Sequence, residues 1–223
     1  ETRSALDLMF QVQSKNGAWG NTKCWPPFES SDYQAATVAA MAIATAPGYS
    51  KSLTAAQEEQ LQKLLEYFKK TPPAHDYARL LRLWVSTRLA GVLTAVERRE
   101  TLKMLFRHQQ PDGGWSMRTF ATPEAWGSGG RAAKLRAEPE FKTTPSDGHQ
   151  TGLVLVVLRD AGISAKDARL QKAVGWLLSN QRQSGRWWTR SLNTDSYHFI
   201  TYSGTVYPLL ALHKCDALPA KKE

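Results

Sequence analysis

The stretch QRQSGRW, Gln181 to Trp187, fits the pattern Gln-x-x-x-Gly-x-Trp, and the chain carries it twice more, as QSKNGAW (Gln13 to Trp19) and QQPDGGW (Gln109 to Trp115). One match would say little. Three, each closing a helix-like segment, mark an internal repeat, and a repeat of this kind decides the architecture. Within it, Gly17, Gly113 and Gly185 are the residues able to adopt the left-handed conformation that stops a helix. Trp19, Trp115 and Trp187 are large apolar side chains placed to fold back as packing elements.

Outward from these segments, two kinds of helix alternate. Leu61, Leu64, Leu65 and Phe68 recur at helical spacing, as do Leu102, Leu105 and Phe106, and Leu170, Val174, Leu177 and Leu178, with charged residues between them. That pattern predicts helices with one wet and one buried face. By contrast DYQAATVAAMAIATA (Asp32 to Ala46), TGLVLVVL (Thr151 to Leu158) and YSGTVYPLLAL (Tyr202 to Leu212) are apolar or small on nearly all sides. Helices without a wet face are buried on both sides. Pro208 is expected to kink or locally break the last of them.

The alternation predicts four helical hairpins, over 1–46, 54–91, 94–162 and 166–215, the second turning through TPPAHD instead of the Gly-Trp signature. The fold class expected is all-α: an α/α toroid, or part of one, as a single domain over 1–215 followed by a tail, 216–223. The connection 116–144 is long and rich in Gly and basic residues. It reads equally as a functional loop or as a tolerated insertion.

Composition bounds the partners. Of 223 residues, 42% are hydrophobic, so a sizeable core is available. Lys plus Arg number 29 against 20 Asp plus Glu, a net charge of +9, which suits an acidic protein or an anionic lipid surface. The excess is scattered, with no long basic run, and this argues against a dedicated nucleic-acid arm. Cys24 and Cys215 form neither metal-type spacing nor a disulfide framework. They read as free thiols, or as a pair if the chain closes into a ring. No apolar stretch reaches transmembrane length and no signal-peptide pattern is present. ETRSALDLMF reads as helix from its first residues, as in a processed or excised chain, and leaves the compartment unknown: a soluble chain is expected, with export and peripheral membrane association both open. No strand pattern, phosphate loop, Gly-x-Ser-x-Gly or His-Glu-x-x-His occurs.

The three repeats resemble those of squalene–hopene cyclases and related triterpene cyclases, whose α/α-barrel fold is shared with protein prenyltransferase β subunits. The resemblance runs over nearly the whole chain and implies an apolar cavity for an isoprenoid or similar ligand. The cyclases protonate an alkene with an acid in an Asp-x-Asp-Asp-Thr-Ala motif. The matching stretch is ESSDYQAA, where Glu29, Ser30, Ser31 and Asp32 occupy the four motif positions and Ser31 stands at that of the proton donor. A serine hydroxyl is far too weak an acid for that step. Glu29 and Asp32 are then the remaining catalytic candidates, with Asp32 also readable as a helix cap.

The resemblance further implies that rings near the inner helices, Tyr33, Tyr77, Trp84, Tyr197, Tyr202 and Tyr207, line the cavity and attract cationic intermediates. Ordinary core packing is the plainer reading of each. Similarity to the prenyltransferases implies a zinc site from Asp147, His149 and His198, with Asp195 orienting His198. Against it stands a single structural rule: Asp32, Asp76, Asp147 and Asp195 all precede inner helices, where Asp is a preferred cap. No cofactor is otherwise required. Three functions follow: a terpene-cyclase-like domain with an apolar cavity and no standard proton donor, a non-catalytic scaffold or interaction module, or a metal-dependent enzyme with an Asp/His/His site.

Overall fold

Helix-forming segments fold here into ten α-helices among the described residues, with no strand among them. The computed structural model describes residues 2–20, 27, 31–127, 129–193 and 199–218. The helices are α1 (Thr2–Gln11), α2 (Asp32–Thr45), α3 (Ala55–Lys70), α4 (Asp76–Ser86), α5 (Ala95–Arg107), α6 (Ala132–Ala137), α7 (Pro139–Thr143), α8 (Gly148–Asp160), α9 (Ala168–Ser179) and α10 (Ser203–Lys214). The expected hairpins are therefore α1–α2, α3–α4, α5–α8 and α9–α10. The 116–144 connection is partly ordered into a short 3-10 turn, α6 and α7, and it buries Arg118, Phe120, Trp126 and Leu135.

The chain forms two compact units, residues 1–99 and 100–223. In the first, α2 packs on α4. The amphipathic α3 buries only Leu64, Tyr67 and Phe68, one side of the helix, and closes its first turn with a capping box between Thr54 and Gln57. In the second, α8 is buried at every position from Gly148 to Leu158 and packs chiefly on α10. α9 buries the single stripe Leu170, Ala173, Val174 and Leu177. The patterning is met fully at α8 alone: α2 exposes Val38 and α10 exposes Leu209 and Leu210, so these two helices are not buried on both sides as expected.

The α8–α10 contact depends on absent side chains. A Cβ on Gly152 would stand 2.4 Å from the Pro208 nitrogen, and one on Gly148 would stand 2.7 Å from the Gly204 carbonyl oxygen. α10 runs unbroken through Pro208, so the expected break does not occur. Proline denies an N–H to the carbonyl four residues back, here Gly204, and it is this stretch of backbone that lies against the glycine face of α8.

The three repeats fold alike. Each tryptophan Nε1–H donates to the carbonyl ten residues upstream: Trp19 to Met9 at 2.8 Å, Trp115 to Leu105 at 2.7 Å, Trp187 to Leu177 at 2.8 Å. Each glutamine side chain donates to its glycine carbonyl: Gln13 to Gly17 at 2.9 Å, Gln109 to Gly113 at 2.8 Å, Gln181 to Gly185 at 2.9 Å. Gly17, Gly113 and Gly185 all have φ between +75° and +94°, the left-handed region that glycine enters without steric cost, but each stands six residues past the end of α1, α5 or α9, so it shapes the turn after the helix and does not stop the helix as expected.

Candidate functional site

The sequence draws attention to the starts of the buried helices. At the start of α8, Asp147 is the N-cap, and its Oδ1 accepts the Gln150 N–H at 2.8 Å. It reaches beyond its own helix as well. Oδ1 accepts the Thr189 hydroxyl at 3.0 Å, and Oδ2 accepts the Met117 N–H at 2.7 Å. The Thr189 hydroxyl in turn accepts the His149 N–H at 2.9 Å. Thr151 holds the other side of the strap, its hydroxyl accepting the Trp115 N–H at 2.9 Å. Met117 and Thr189 each lie two residues past a repeat tryptophan, and one carboxylate gathers both segments.

His149 is completely buried. Its Nδ1 lies 2.9 Å from the Ser203 hydroxyl and its ring meets the Tyr207 ring edge-on at 5.2 Å. Burial holds the imidazole down at about 3, so it is neutral at ordinary pH. Burial pushes the Asp147 carboxyl above the usual carboxylate range, opposed by the Gln150 and Met117 N–H groups, the charge of Arg118 and the Thr189 hydroxyl. Arg118 donates to Glu138 at 3.0 Å, and Arg190 donates to the other oxygen of Glu138 at 3.3 Å. This ion-paired group ties the 116–144 connection to the segment after the third repeat.

Both oxygens of Asp147 and one ring nitrogen of His149 are therefore committed to protein partners, which is the chemistry of a cap and a buried knot. His198, the third residue of the zinc set, and Asp195 lie outside the described residues. Among the described residues no three such side chains gather in a way that could hold a metal ion.

The other starts are simpler. Ser31, not Asp32, is the N-cap of α2, its Oγ accepting the Gln34 N–H at 3.3 Å. Likewise His75, not Asp76, caps α4, its Nδ1 accepting the Ala78 N–H at 3.1 Å. In both cases the aspartate is the first helical residue, where its charge faces the positive end of the helix dipole, and Asp76 pairs with Arg79 at 3.0 Å. Sequence alone places a cap only to within a residue, and here the neighbour has the extended backbone that a cap requires. Glu29 and Cys24 lie outside the described residues. Cys215 is a buried free thiol whose pKa burial raises.

The candidate cavity rings separate. Tyr33 is buried against Phe68, edge-on at 5.3 Å, and Tyr67 at 6.0 Å. Its hydroxyl has no partner among the described residues, and burial raises its pKa. Tyr77 is buried and Trp84 half-buried on α4. Tyr207 packs on His149, Tyr202 is 82% exposed, and Tyr197 lies outside the described residues. The first unit also carries an open cleft of about 540 Å³ beside the first repeat, lined in part by Lys15, Lys63, Lys70 and Glu66. Sequence reading missed that cleft and missed Thr189, Thr151 and Ser203. The only signal for Thr189 was its offset of two from a repeat tryptophan.

No protein-family model matches the chain, and no curated protein matches it either. Solved structures do. A type II terpene cyclase from Scytonema, its R337A variant in complex with geranylgeranyl dihydroxybenzoate as substrate, aligns with 95% of this chain at 15% identity and a TM-score of 0.59. The apo form of that cyclase aligns with 95% of this chain at 16% identity and a TM-score of 0.56. The chain spans 57% and 58% of the length of those two chains. At this identity the likeness establishes the fold: this is an all-α chain with a terpene-cyclase-like, α/α-toroid class of architecture.

Proposed function

We propose that the chain holds an isoprenoid or similarly long apolar ligand and does not protonate it from the position where the cyclases it resembles carry their acid. The observation that carries this is Ser31. The side chain at that position is an alcohol engaged as a helix cap by the Gln34 N–H, and an alcohol cannot deliver a proton to an alkene. The ligand class rests on fold likeness to a terpene cyclase solved with a geranylgeranyl aromatic acid, a weaker warrant, since fold does not dictate function. No helix among the described residues is long and apolar enough to cross a membrane.

The test is incubation of the purified chain with geranylgeranyl dihydroxybenzoate and, separately, with squalene, followed by repurification and mass spectrometry with chromatography of the extract. Retention of at least one of them, recovered uncyclised, is expected. A cyclised product would overturn the missing-acid half of the proposal, and the Glu29→Gln variant would then show whether Glu29 had taken over. Retention of neither would overturn the ligand half.

A further inference from the structure

The first two repeats seat their turns on a neighbouring helix in the same way. Gln13 Nε2 donates to the Gln60 carbonyl on α3 at 3.0 Å, and Gln109 Nε2 donates to the Arg169 carbonyl on α9 at 2.8 Å. The repeat glycine then presses on the carbonyl three residues further along. A Cβ on Gly17 would stand 2.1 Å from the Lys63 oxygen, and one on Gly113 would stand 2.8 Å from the Lys172 oxygen. Just before each glycine, a side-chain oxygen closes the turn. Asn16 Oδ1 accepts the Ala18 N–H at 3.1 Å, and Asp112 Oδ1 accepts the Gly114 N–H at 2.9 Å. The two turns are one scaffold carrying different side chains.

In the second repeat those side chains are spent on one another. Asp112 Oδ2 accepts the Trp176 Nε1–H at 3.0 Å, and Asp112 Oδ1 also accepts the Ser146 hydroxyl at 2.8 Å. The first repeat has Asn16 in place of Asp112, Tyr67 in place of Trp176, and Glu66 and Lys70 in place of Gly175 and Ser179. There the open cleft of about 540 Å³ lies between turn and helix, lined by Lys15, Asn16, Lys63, Glu66, Tyr67 and Lys70 among others.

Its charges do not cancel. Glu66 is the only acid in the lining, and it already pairs with Lys69 at 2.9 Å and Lys70 at 3.3 Å. Those two lysines hold its carboxyl below the usual carboxylate range, so it stays ionised and committed. The ammonium groups of Lys15 and Lys63 enter no ion pair or hydrogen bond among the described residues. Asn16 uses its oxygen on the turn and keeps its N–H donors. The repeat scaffold requires none of this, because the second repeat keeps the same backbone contacts without it.

We infer that the first-repeat cleft binds a multiply charged phosphate-type anion, with Lys15 and Lys63 as its charged contacts and Asn16 as a hydrogen-bond donor. Lysine binds phosphate as a compact charge on a flexible stem, and a dianion matches two uncommitted ammonium groups. Gln13 and Gly17 fix the turn that carries Lys15 against the helix that carries Lys63, so the two cations are brought together before any ligand arrives. The phosphate group is either free or the headgroup of a lipid. The inference does not rest on the apolar ligand proposed above.

Titration calorimetry of the 223-residue chain with inorganic diphosphate, in low-salt buffer without phosphate, tests this. Saturable binding that weakens as salt is added is expected. Lys15→Gln with Lys63→Gln should weaken it about tenfold or more, the scale of one charge-assisted hydrogen bond. Asn16→Asp, which copies the second repeat, should weaken it as well. Lys172→Gln, at the equivalent lysine of the second repeat, should leave it unchanged. Absence of saturable binding would overturn the inference, as would a Lys15/Lys63 double variant that binds like the wild type, or an equal loss at Lys172→Gln. Should the double variant melt early, Asn16→Asp carries the same comparison. Flotation with phosphatidylcholine vesicles, with and without phosphatidic acid, separates the sources. Capture by the phosphatidic acid vesicles alone, reversed by diphosphate and lost in the double variant, assigns the headgroup; diphosphate binding without capture assigns the free anion.

Discussion

The starts of α2 and α8 do the same structural job with different chemistry. Ser31 accepts one N–H, at 3.3 Å, from its own helix. Asp147 accepts three donors at 2.7–3.0 Å, two of them from segments far along the chain. The difference lies in acceptor capacity. A carboxylate offers two oxygens with about four lone-pair sites, against two on one hydroxyl oxygen. A serine cap is therefore spent on its own first turn, whereas an aspartate cap can gather neighbouring backbone and bury itself in doing so. At Ser31 the cap is an alcohol, and at Asp147 it is a carboxylate. The buried carboxylate stands at the start of another helix and works as a clasp.

The comparison breaks most visibly at Asp147. Asp147→Ala leaves the Met117 and Gln150 N–H groups and the Thr189 hydroxyl unpaired in a buried place. Hydrogen bonds to charged groups contribute about 1.5–3 kcal/mol each and unpaired buried donors cost more, so a total loss of ~3–5 kcal/mol is expected from urea unfolding. A loss under ~1 kcal/mol would mean the clasp contributes no more than an ordinary cap.

A smaller effect is expected from pH at His149. Its folded pKa, about 3, lies below the ordinary value of 6.5, so the unfolded chain takes up a proton first. Its contribution is complete above pH 6.5 and is lost as pH falls towards 3, by about 1.4 kcal/mol per pH unit at most. Asp147 works with the opposite sign, because its folded pKa is raised: its contribution is complete at low pH and is lost as pH rises through the folded value. Unfolding midpoints of the wild type and His149→Gln across pH 4–7 separate the two, since the variant should lack the histidine slope. Identical slopes would place the imidazole in water when folded.

The smallest expected change is at Ser31. Ser31→Ala should cost about 1 kcal/mol, the ordinary worth of a helix cap, and Ser31→Asp should restore it without drawing in remote segments. A loss at Ser31→Ala as large as that at Asp147→Ala, in the same unfolding assay, would remove the contrast on which the comparison rests.

Much of this molecule is short-range and was therefore legible in order. The hairpins, the wet-faced helices, the left-handed repeat glycines and the folding back of each repeat tryptophan follow from contacts no more than ten residues apart, such as Gln181 to Gly185 and Trp187 to Leu177, although the glycines lie past the helix ends and do not form them. Periodicity and helix-stop chemistry report contacts of that range. Cap assignment at Asp32 and Asp76 failed by one residue because Ser31 and His75 are equally able to accept an N–H. Pro208 is expected to kink or locally break α10, which is also a local expectation. The helix continues through it, and Gly148 and Gly152 of α8 lie against that stretch of its backbone.

Sequence by itself determined that the chain is built of α/α hairpins and that a tryptophan folds back at each repeat, because each of these is a property of neighbouring residues. Tertiary structure alone decided that Asp147 clasps Met117 and Thr189, that His149 is buried against Ser203 and Tyr207, and that Tyr33 is buried while Tyr202 is exposed. The distant partners in the clasp and around the imidazole stand 30 to 58 positions from the residues they meet. Which of many distant polar groups meets a buried carboxylate is settled when the helices pack and every buried donor must find an acceptor.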